Sequence, residues 1–323
     1  MKGIVIEKNG GPDVMEFTEL SLQKPGAGQA RIKVMASGLN FIDIYQRRGD
    51  YPVKLPYTPG LEGSGIVEEV GPDVTVVKPG DRVAYTSQPG AYAEGSLVKA
   101  DSLIPLPESL TFEQGAAFPL QGMTAHYLIH EFRKVKKGES VLIHAAAGGM
   151  GLLLVQWAKH LGARVFGTVS TEEKAKAAMD AGADEIIFYN KENFADAVSR
   201  LTNAQGVELI IDGVGKSTFA RNLEAVARRG TVVIFGSASG PAEPIAPNTL
   251  QAKSITVAGG SLSNYLLNRE ELLYRANDVL KGIQEGWLNL RIDNVLPLAQ
   301  AQEAHKMLET RQSIGKIILR SDN

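Results

Sequence analysis

The 323-residue sequence contains no cysteine. This absence excludes disulfides, thiolate nucleophiles and any zinc or iron–sulfur site built on cysteine ligands. A strong charge of either sign is also missing, because 34 basic residues nearly balance 36 acidic ones and leave a formal net charge of -2. Nucleic acid and anionic membranes are therefore not expected as main partners.

Long apolar runs are absent as well. No run approaches the roughly 20 residues needed to cross a bilayer, and the N-terminal MKGIVIEKNGG becomes polar within a few residues. We therefore expect neither a transmembrane segment nor a signal peptide. A cytoplasmic location is expected instead, and the lack of cysteine is compatible with it. The 44% of hydrophobic residues is typical of a globular protein, and the length suits two domains.

The first third of the chain has the pattern of short β-strands separated by turns. Alternating or β-branched runs such as GIVIEK, ARIKVMASGLN and SGIVEEVG are divided by turn formers such as NGGPD and VKPGDR. This spacing predicts a small, largely antiparallel, barrel-like domain with one helix near FIDIYQRRGDYP.

From residue 111 onward, helices and strands alternate. Thr111 and Gln114 have the spacing of a capping box. Apolar strand candidates from SVLIHA to SITVAG then alternate with helical stretches such as MGLLLVQWAKHLG and STFARNLEAVARR. We therefore predict an α/β fold with a Rossmann-type doubly wound parallel sheet. This sheet, residues 122–260, is inserted in a mainly β, barrel-like catalytic domain of residues 1–121 and 261–323, to which the C-terminal tail returns.

The stretch HAAAGGMG, residues 144–151, follows a strand candidate and opens a helix, where a dinucleotide-binding turn is expected. Ala145 is expected to make the bend with a negative φ, Gly148 and Gly149 to let backbone N–H groups approach a pyrophosphate, and Gly151 to allow close helix–strand packing. A tightly packed structural turn is the alternative, but the β–α context favours a cofactor site. The predicted cofactor-binding residues of this turn are Ala145, Gly148, Gly149, Met150 and Gly151.

The second strand of this series ends in FGTVSTEEK, with Val169 where enzymes that use NAD usually carry an acidic residue. We predict Ser170 as the N-cap of the next helix, with Glu173 at the capping-box position. Ser170, Thr171 and the helix N–H groups then form an anion site with Lys174 in reach. The missing carboxylate and this anion site favour NADPH over NADH, although Lys174 alone is equally well a solvated helix lysine.

The whole chain resembles the medium-chain dehydrogenase/reductase superfamily, specifically its zinc-free quinone oxidoreductase (zeta-crystallin-like) branch. The motifs that carry this resemblance are GLNFIDIYQRRGDYP, TPGLEGSGIVEEVG, VKPGDRVAY, QGMTAHYL and HAAAGGMGLLLVQWAKHLGA. The resemblance implies a GroES-like catalytic domain, a Rossmann domain that binds NADPH, and reduction of a substrate in the cleft between them.

The same resemblance places Asn40, Leu61 and Leu120 where zinc alcohol dehydrogenases of the superfamily have Cys, His and Cys. Leucine cannot ligate zinc, so no catalytic metal is expected. Without a Lewis acid to polarise a carbonyl, acceptors that need little polarisation, such as quinones or enones, become the expected substrates.

Further site residues are implied by motif matches to the family. Asn40, Tyr45 and Tyr51 are the candidate catalytic residues near nicotinamide and substrate, and Tyr45 is a hypothetical proton donor. Alternatively, Asn40 closes a turn, Tyr45 is a core residue and Tyr51 anchors a loop. The remaining candidates for cofactor binding are Asn40 and Thr124 near the nicotinamide, Tyr189 and Arg311 near the 2′-phosphate, and Phe235, Gly236 and Ser237 near the carboxamide. Arg311 is alternatively a helix C-terminal charge.

Other ionisable residues are interpreted as structural. Glu62 is expected to be a buried carboxylate paired with an arginine. His126 and His130 have a spacing that could bind a metal, but no third ligand or suitably spaced acid accompanies them, which favours a packing or surface role. His144 is expected to be a core residue with its hydrogen bonds satisfied.

The sequence thus predicts an NADPH-dependent, zinc-independent quinone oxidoreductase. Two alternatives are an NADPH-dependent 2-alkenal or enone reductase, and a non-catalytic NADPH-binding protein with a structural or RNA-binding role. SITVAGGSL has the pattern of an edge strand, which in this family tends to pair with its copy, so a homodimer is expected.

Overall fold

The computed structural model describes residues 1–21 and 23–321. Their contacts divide the chain into two compact units. The first unit comprises Met1–Gly122, Leu266–Asn277 and Leu290–Asn323, and the second comprises Met123–Tyr265 and Asp278–Asn289.

The N-terminal part of the first unit consists mainly of strands. Its strands are β1 (Lys2–Ile6), β2 (Met15–Glu19), β3 (Gln29–Gly38), β4 (Glu62–Val70), β5 (Arg82–Thr86), β6 (Gly95–Lys99) and β7 (Leu103–Pro105). Its helices are α1 (Phe41–Arg48), α2 (Phe112–Gly115) and α3 (Pro119–His130), the last of which continues into the second unit. The predicted capping box is confirmed, because Thr111 and Gln114 exchange side chain–backbone hydrogen bonds at the start of α2.

The second unit alternates strands and helices. Its elements are β8 (Ser140–Ile143), α4 (Gly149–His160), β9 (Arg164–Val169), α5 (Glu172–Asp180), β10 (Glu185–Phe188), α6 (Phe194–Leu201), β11 (Val207–Asp212), α7 (Phe219–Ala225), β12 (Val226–Ile234) and β13 (Thr256–Gly259). The six strands form one parallel sheet in the order β10-β9-β8-β11-β12-β13. This is the doubly wound order 3-2-1-4-5-6, which confirms the predicted Rossmann-type sheet.

The C-terminal part returns to the first unit. It contains α8 (Arg269–Gln284), β14 (Ile292–Pro297), α9 (Ala301–Glu309) and β15 (Lys316–Arg320). Strand β15 pairs with β3 in the sheet β14-β15-β3-β4-β5-β7, in which β6 also pairs with β3. All neighbours in this sheet are antiparallel except β14 and β15, as the predicted antiparallel domain requires.

The two units differ from the predicted bounds at residue 122, which groups with the first unit, and at residues 261–265 and 278–289, which group with the second. For residues 278–289 the structure shows an aromatic contact that the sequence pattern does not reveal. The Trp287 ring meets the Trp157 ring of α4 edge-on, with 5.3 Å between their centroids. The Asn289 backbone N–H also donates to Gln156 Oε1 at 2.7 Å.

One predicted helix is too long. The pattern STFARNLEAVARR predicted a helix through Arg229, but α7 ends at Ala225 and β12 begins at Val226. Val226 is extended, buried and paired with Val207 of β11. Tertiary pairing therefore overrides the helical periodicity of the last four residues. Strands β2 and β7 were not predicted.

Short 3₁₀ helices complete the fold at Pro12–Val14, Ala100–Ser102, Pro247–Ala252, Leu262–Tyr265 and Leu298–Gln300. The third of them has the sequence PNTLQA. Within residues 1–21 and 23–321, no helix has the length and apolarity required to cross a membrane.

The core of the second unit lies between its sheet and the helices that cover it. Buried strand residues such as Leu142, Phe166 and Ile210 pack with Phe194 and Phe219 of the helices. These contacts fix the strand ends, and with them the loops from which the site is built.

Candidate active site

Most of the predicted cofactor residues of the second unit follow its strands at the carboxyl end of the sheet. In sheet order, Tyr189 follows β10, residues 170–174 follow β9, the 145–151 turn follows β8, and residues 235–237 follow β12. These strands span four spacings of about 4.8 Å, or about 19 Å. The structure therefore places the predicted subsites in a line, where doubly wound sheets bind extended ligands.

The turn after β8 has the geometry of an anion cradle. The Gly148 N–H donates to Ala145 O at 2.9 Å, and Gly148 is the N-cap of α4. No side chain of the described chain caps this helix, which leaves its first N–H groups for an anion. A Cβ at Gly151 would overlap Ala145 O and lie 2.7 Å from the Ala146 carbonyl carbon. Helix and strand therefore approach closely, and the residues present fit a pyrophosphate.

Ala145 corrects one prediction. Its φ is +51°, not negative, so the alanine lies in the left-handed region. For a residue with a Cβ this conformation costs about 1–2 kcal/mol. The Ala145 N–H donates to Thr168 Oγ1 at 3.2 Å, and Ala145 O accepts from Gly148. The bend is thus held by hydrogen bonds on both sides of the residue.

Four buried polar residues, Thr168, His144, Asn222 and Asp212, form a chain of hydrogen bonds that supports this turn. His144 Nδ1 lies 3.1 Å from Thr168 Oγ1, and its Nε2 lies 2.7 Å from Asn222 Oδ1. Asn222 Nδ2 donates to Asp212 Oδ2 at 2.6 Å. Burial lowers the pKa of His144, so its ring is neutral at physiological pH. As predicted, His144 is a buried residue with both ring nitrogens hydrogen-bonded.

The anion site after β9 differs from its prediction in the capping residue. Thr171, not Ser170, is the N-cap of α5, because its Oγ1 accepts from the Lys174 N–H at 3.2 Å. The predicted Ser170–Glu173 capping box was therefore wrong by one residue. Ser170 lies in the turn before the cap, where its carbonyl accepts from Asn190 Nδ2 at 3.1 Å.

The surroundings of this site contain a tyrosine and a lysine but no carboxylate at the end of β9. Val169 is only 2% exposed, while Tyr189 at the neighbouring strand end is 43% exposed. The Tyr189 N–H donates to Val169 O at 3.2 Å. Lys174 is half-buried on α5. The nearby acid Glu172 forms an ion pair with Lys191 at 2.9 Å.

The loop after β12 lies against the loop after β11. The Phe235 N–H donates to Asp212 O at 3.0 Å, and the Ala238 N–H donates to Gly213 O at 3.1 Å. A Cβ at Gly213 would lie 2.6 Å from the Phe235 ring, so the two loops are in close contact. Gly236 and Ser237 continue this loop, whereas Thr124 is buried on α3.

The predicted catalytic residues lie in the first unit. Tyr45 on α1 is half-buried, and Tyr51 beyond the helix is 47% exposed. Their ring centroids are 5.3 Å apart, and the Phe41 centroid lies 6.2 Å from that of Tyr45. Three aromatic rings thus form one partly exposed group, suited to a flat ligand. Sequence reasoning missed Phe41, although its i,i+4 spacing from Tyr45 was a signal.

Asn40, the third candidate, is buried and fully hydrogen-bonded. Its Nδ2 donates to Glu62 Oε2 at 2.9 Å and to Gly38 O at 3.2 Å. Its Oδ1 accepts from Lys316 Nζ at 2.8 Å and from Gln121 Nε2 at 3.3 Å. Both donors and both lone pairs of the carboxamide therefore take part in hydrogen bonds within the protein, a geometry that suits a structural role.

Glu62 is buried as predicted, but its partner is Lys316, not an arginine. Lys316 Nζ lies 2.6 Å from Glu62 Oε2, and the Leu120 N–H donates to Oε1 at 2.6 Å. The expected arginine was wrong because the partner comes from β15, about 250 residues along the chain. Lysine provides three donors here, of which two are used by Glu62 and Asn40.

Behind Asn40 lies a second buried chain that the sequence did not indicate. Asp43 Oδ2 accepts from the Asn40 N–H at 2.9 Å and from the Tyr92 hydroxyl at 3.0 Å. His305 Nε2 lies 3.3 Å from this hydroxyl, and Arg47 donates to His305 Nδ1 at 2.9 Å. Asp43 Oδ1 has no hydrogen-bond partner among the described residues.

This chain has two strongly shifted pKa values. Burial raises the pKa of Asp43 to about 7, despite the hydrogen bonds from Asn40 and Tyr92. Burial, reinforced by the Arg47 charge, lowers the pKa of His305 to about 3. Both groups are therefore neutral in the folded protein over part of the acidic range, where free carboxylates and imidazoles are charged.

Three further predicted features have definite places. Arg311 follows α9 in the first unit, with a φ of +58° and its N–H directed to Leu308 O at 3.2 Å; its role at the 2′-phosphate stays a prediction.

His126 is buried with Nε2 3.0 Å from Asp278 Oδ2, and both it and His130 pack on Trp157, which fits a packing role. The described residues hold no group of three or more His, Asp or Glu side chains placed to bind a metal.

We expect substitution Asp43→Asn to change how stability depends on pH. Between pH 3.8 and about 7 the folded wild-type protein binds a proton that the unfolded chain has released, so wild-type stability falls as pH rises. From pH 5 to 8 the free energy of unfolding of the wild type should fall by about 2–3 kcal/mol relative to Asp43→Asn.

Urea titrations at both pH values measure this difference. His305 destabilises the folded state as pH falls below 6.5 towards 3, but it is present in both proteins and cancels in the comparison. Parallel pH profiles for the two proteins would contradict the raised pKa of Asp43.

Comparisons with known proteins agree with this arrangement. Residues 26–108 match the family described as alcohol dehydrogenase GroES-like domain, and residues 149–276 match the family described as zinc-binding dehydrogenase. A quinone oxidoreductase of Pseudomonas aeruginosa is 41% identical over 321 residues, which cover 98% of this chain and 99% of that protein. A 2-haloacrylate reductase of a Burkholderia species is 41% identical over 324 residues, covering 98% and 97%.

A solved structure gives the same result for the fold. The Escherichia coli quinone oxidoreductase complexed with NADPH has a TM-score of 0.96 to this chain at 38% identity, and the match covers 99% of this chain and 100% of that one. Both the motif resemblance and the predicted fold are thereby confirmed. The chain belongs to the quinone oxidoreductase family of the medium-chain dehydrogenase/reductase superfamily.

Proposed function

We propose that the protein uses NADPH to reduce quinones. The observation that carries the proposal is the carboxyl end of the parallel sheet, where an uncapped helix N-terminus follows β8 and a carboxylate-free strand end with Lys174 follows β9. The first feature suits a pyrophosphate and the second suits a 2′-phosphate. The full-length likeness to quinone oxidoreductases, one of them complexed with NADPH, supports the same function.

When bound, NADPH supplies the reducing equivalents for the acceptor. The residues of the chain bind and orient it. The N–H groups at Gly149, Met150 and Gly151 hold the pyrophosphate, and Thr171, Lys174 and Tyr189 surround the 2′-phosphate. The Phe235–Ser237 loop is the proposed carboxamide contact. Such holding contributes to rate by presenting donor and acceptor in a fixed geometry.

For the acceptor we propose the aromatic group of Phe41, Tyr45 and Tyr51. Its partly exposed rings suit stacking on a quinone, and the Tyr45 hydroxyl is the proposed proton donor. Asn40, with its carboxamide fully used, contributes by fixing the start of α1.

We propose that the reaction is independent of zinc. The support is the chemistry of the donors at the three positions where the superfamily's zinc alcohol dehydrogenases have ligands. Leu61 and Leu120 offer no ligand atom, and the Asn40 oxygen accepts two hydrogen bonds. The positive charge beside Glu62 is supplied by Lys316.

A second candidate is reduction of an activated C=C bond. The observation in its favour is the 41% identity to a protein described as a 2-haloacrylate reductase. An alkenal or enone is flat and conjugated like a quinone, so the same aromatic group would bind it. The two activities differ in the acceptor and share the cofactor site.

NADPH oxidation by the purified protein against matched quinones and 2-alkenals tests the proposal. We expect turnover of quinones, with NADPH preferred over NADH because of the 2′-phosphate site. Faster turnover of alkenals would support the second candidate. Tight NADPH binding without turnover of either class would contradict both and favour a non-catalytic role.

Replacement of Lys174 tests the 2′-phosphate site. A charge-assisted hydrogen bond is worth about 1.5–3 kcal/mol, so Lys174→Ala should raise the KM for NADPH about 10- to 100-fold. The KM for NADH should stay unchanged. The matched control is Lys176→Ala on the same helix, whose lysine pairs with Asp180; an equal effect of both replacements would remove Lys174 from the site.

We also propose a cytoplasmic homodimer joined through β13. This strand ends the parallel sheet with β12 as its neighbour, so its other side has no strand partner among the described residues. Light scattering should give twice the 34.7 kDa chain mass. Val257→Pro, which removes one N–H and stiffens the strand, should shift the protein towards monomer; a dimer unaffected by this change would place the interface elsewhere.

A further inference from the structure

We propose that Thr168 is a positioning residue for the pyrophosphate, because its hydroxyl holds the left-handed Ala145 turn in the one orientation that opens the cradle. The proposal rests on NADPH binding as proposed above. Thr168 lies in β9, next to β8, and its hydroxyl oxygen accepts a hydrogen bond from the Ala145 N–H, so its influence on the cradle passes through the Ala145 backbone.

The direction of every hydrogen bond in the supporting chain is set by Asp212. This buried carboxylate accepts from the Val214 and Gly215 N–H groups at 2.6 and 3.1 Å, and from the Thr218 hydroxyl at 2.7 Å. A carboxylate can only accept, so Asn222 must direct its NH₂ group to Asp212. The Asn222 carbonyl oxygen therefore points at His144.

His144 transmits this direction to Thr168. Its Nε2 faces an acceptor, Asn222 Oδ1, so that nitrogen carries the proton. In the neutral ring Nδ1 is then an acceptor, and the Thr168 hydroxyl, at 3.1 Å, is the donor that faces it. With its hydrogen committed to His144, the Thr168 oxygen presents a lone pair to the Ala145 N–H.

The hydrogen bond to this lone pair holds Ala145, whose backbone conformation is unfavourable for a residue with a side chain. Ala145 has a φ of +51°, a conformation that an alanine leaves readily when its hydrogen bonds are lost. Its carbonyl accepts from Gly148, the N-cap of α4, so rotation at Ala145 displaces the start of the helix. The 2′-phosphate site is built separately, by the Thr171 cap and Lys174. Loss of the Thr168 hydroxyl should therefore weaken pyrophosphate binding selectively.

The experiment compares Thr168→Val, which removes the hydroxyl at equal size, with Thr168→Ser, which keeps it. The ligands are NADPH and adenosine 2′-monophosphate, which has the 2′-phosphate but no pyrophosphate. Thr168→Val should raise the Kd of NADPH about tenfold, and Thr168→Ser should restore it to within about twofold of wild type. The Kd of adenosine 2′-monophosphate should be the same in all three proteins.

The other outcomes are distinct. Equal weakening of both ligands by Thr168→Val would mean a purely structural role and overturn the inference, as would an unchanged Kd for NADPH. Failure of the wild-type protein to bind NADPH would instead overturn the proposed function, and the inference with it. If the valine variant does not fold, Thr168→Ala, which puts no methyl group against the imidazole, gives the same comparison.

Discussion

A carboxylate buried away from water has to be surrounded by donors, and the second unit is organised around this requirement at Asp212. Its donors come from the loop after β11, from the residues around the start of α7, and from Asn222 on that helix. An unpaired charge in this place would cost several kcal/mol. Satisfying it fixes the loops beside β11 and, through Asn222 and His144, the turn after β8. Fold stability and cradle geometry thus have a common origin.

The first unit also contains two buried acidic residues, Glu62 and Asp43, whose hydrogen-bond partners differ. Glu62 receives a lysine ammonium, an amide and a backbone N–H, so its charge is balanced where it lies. Asp43 receives two donors on one oxygen and none from the described residues on the other, and its pKa rises to about 7. Asn40 touches both carboxylates, one through its side chain and one through its backbone. The start of α1, and the aromatic group it carries, is therefore held by one residue between two buried carboxyl groups with different surroundings.

Local sequence patterns predicted the features that depend on residues close together in the chain. The alternation of apolar strands and helices gave the doubly wound sheet, and the glycines after the first strand of that sheet gave the place of the cradle. The end of the second strand of the series indicated the residues around Lys174, whereas Phe235 was implied by the resemblance to the family. The errors arise where distant contacts decide. Ala145 adopts a positive φ while its N–H is hydrogen-bonded to Thr168 of the neighbouring strand, the lysine that pairs with Glu62 lies on the last strand, and Val226 pairs with a residue of β11. The cap at Thr171 instead of Ser170 is a smaller error of one residue, because both side chains can cap a helix.

The burial of Val169 has a consequence for how this protein could change its cofactor. Enzymes that use NADH place an acidic side chain at this strand end, but at 2% exposure a carboxylate here would lose its hydration. Ser170 is the next residue and is partly accessible, with its carbonyl already fixed by Asn190. An evolutionary or engineered switch of cofactor preference from NADPH to NADH would therefore begin at Ser170. Replacement of Val169 alone by an acidic residue would be unfavourable.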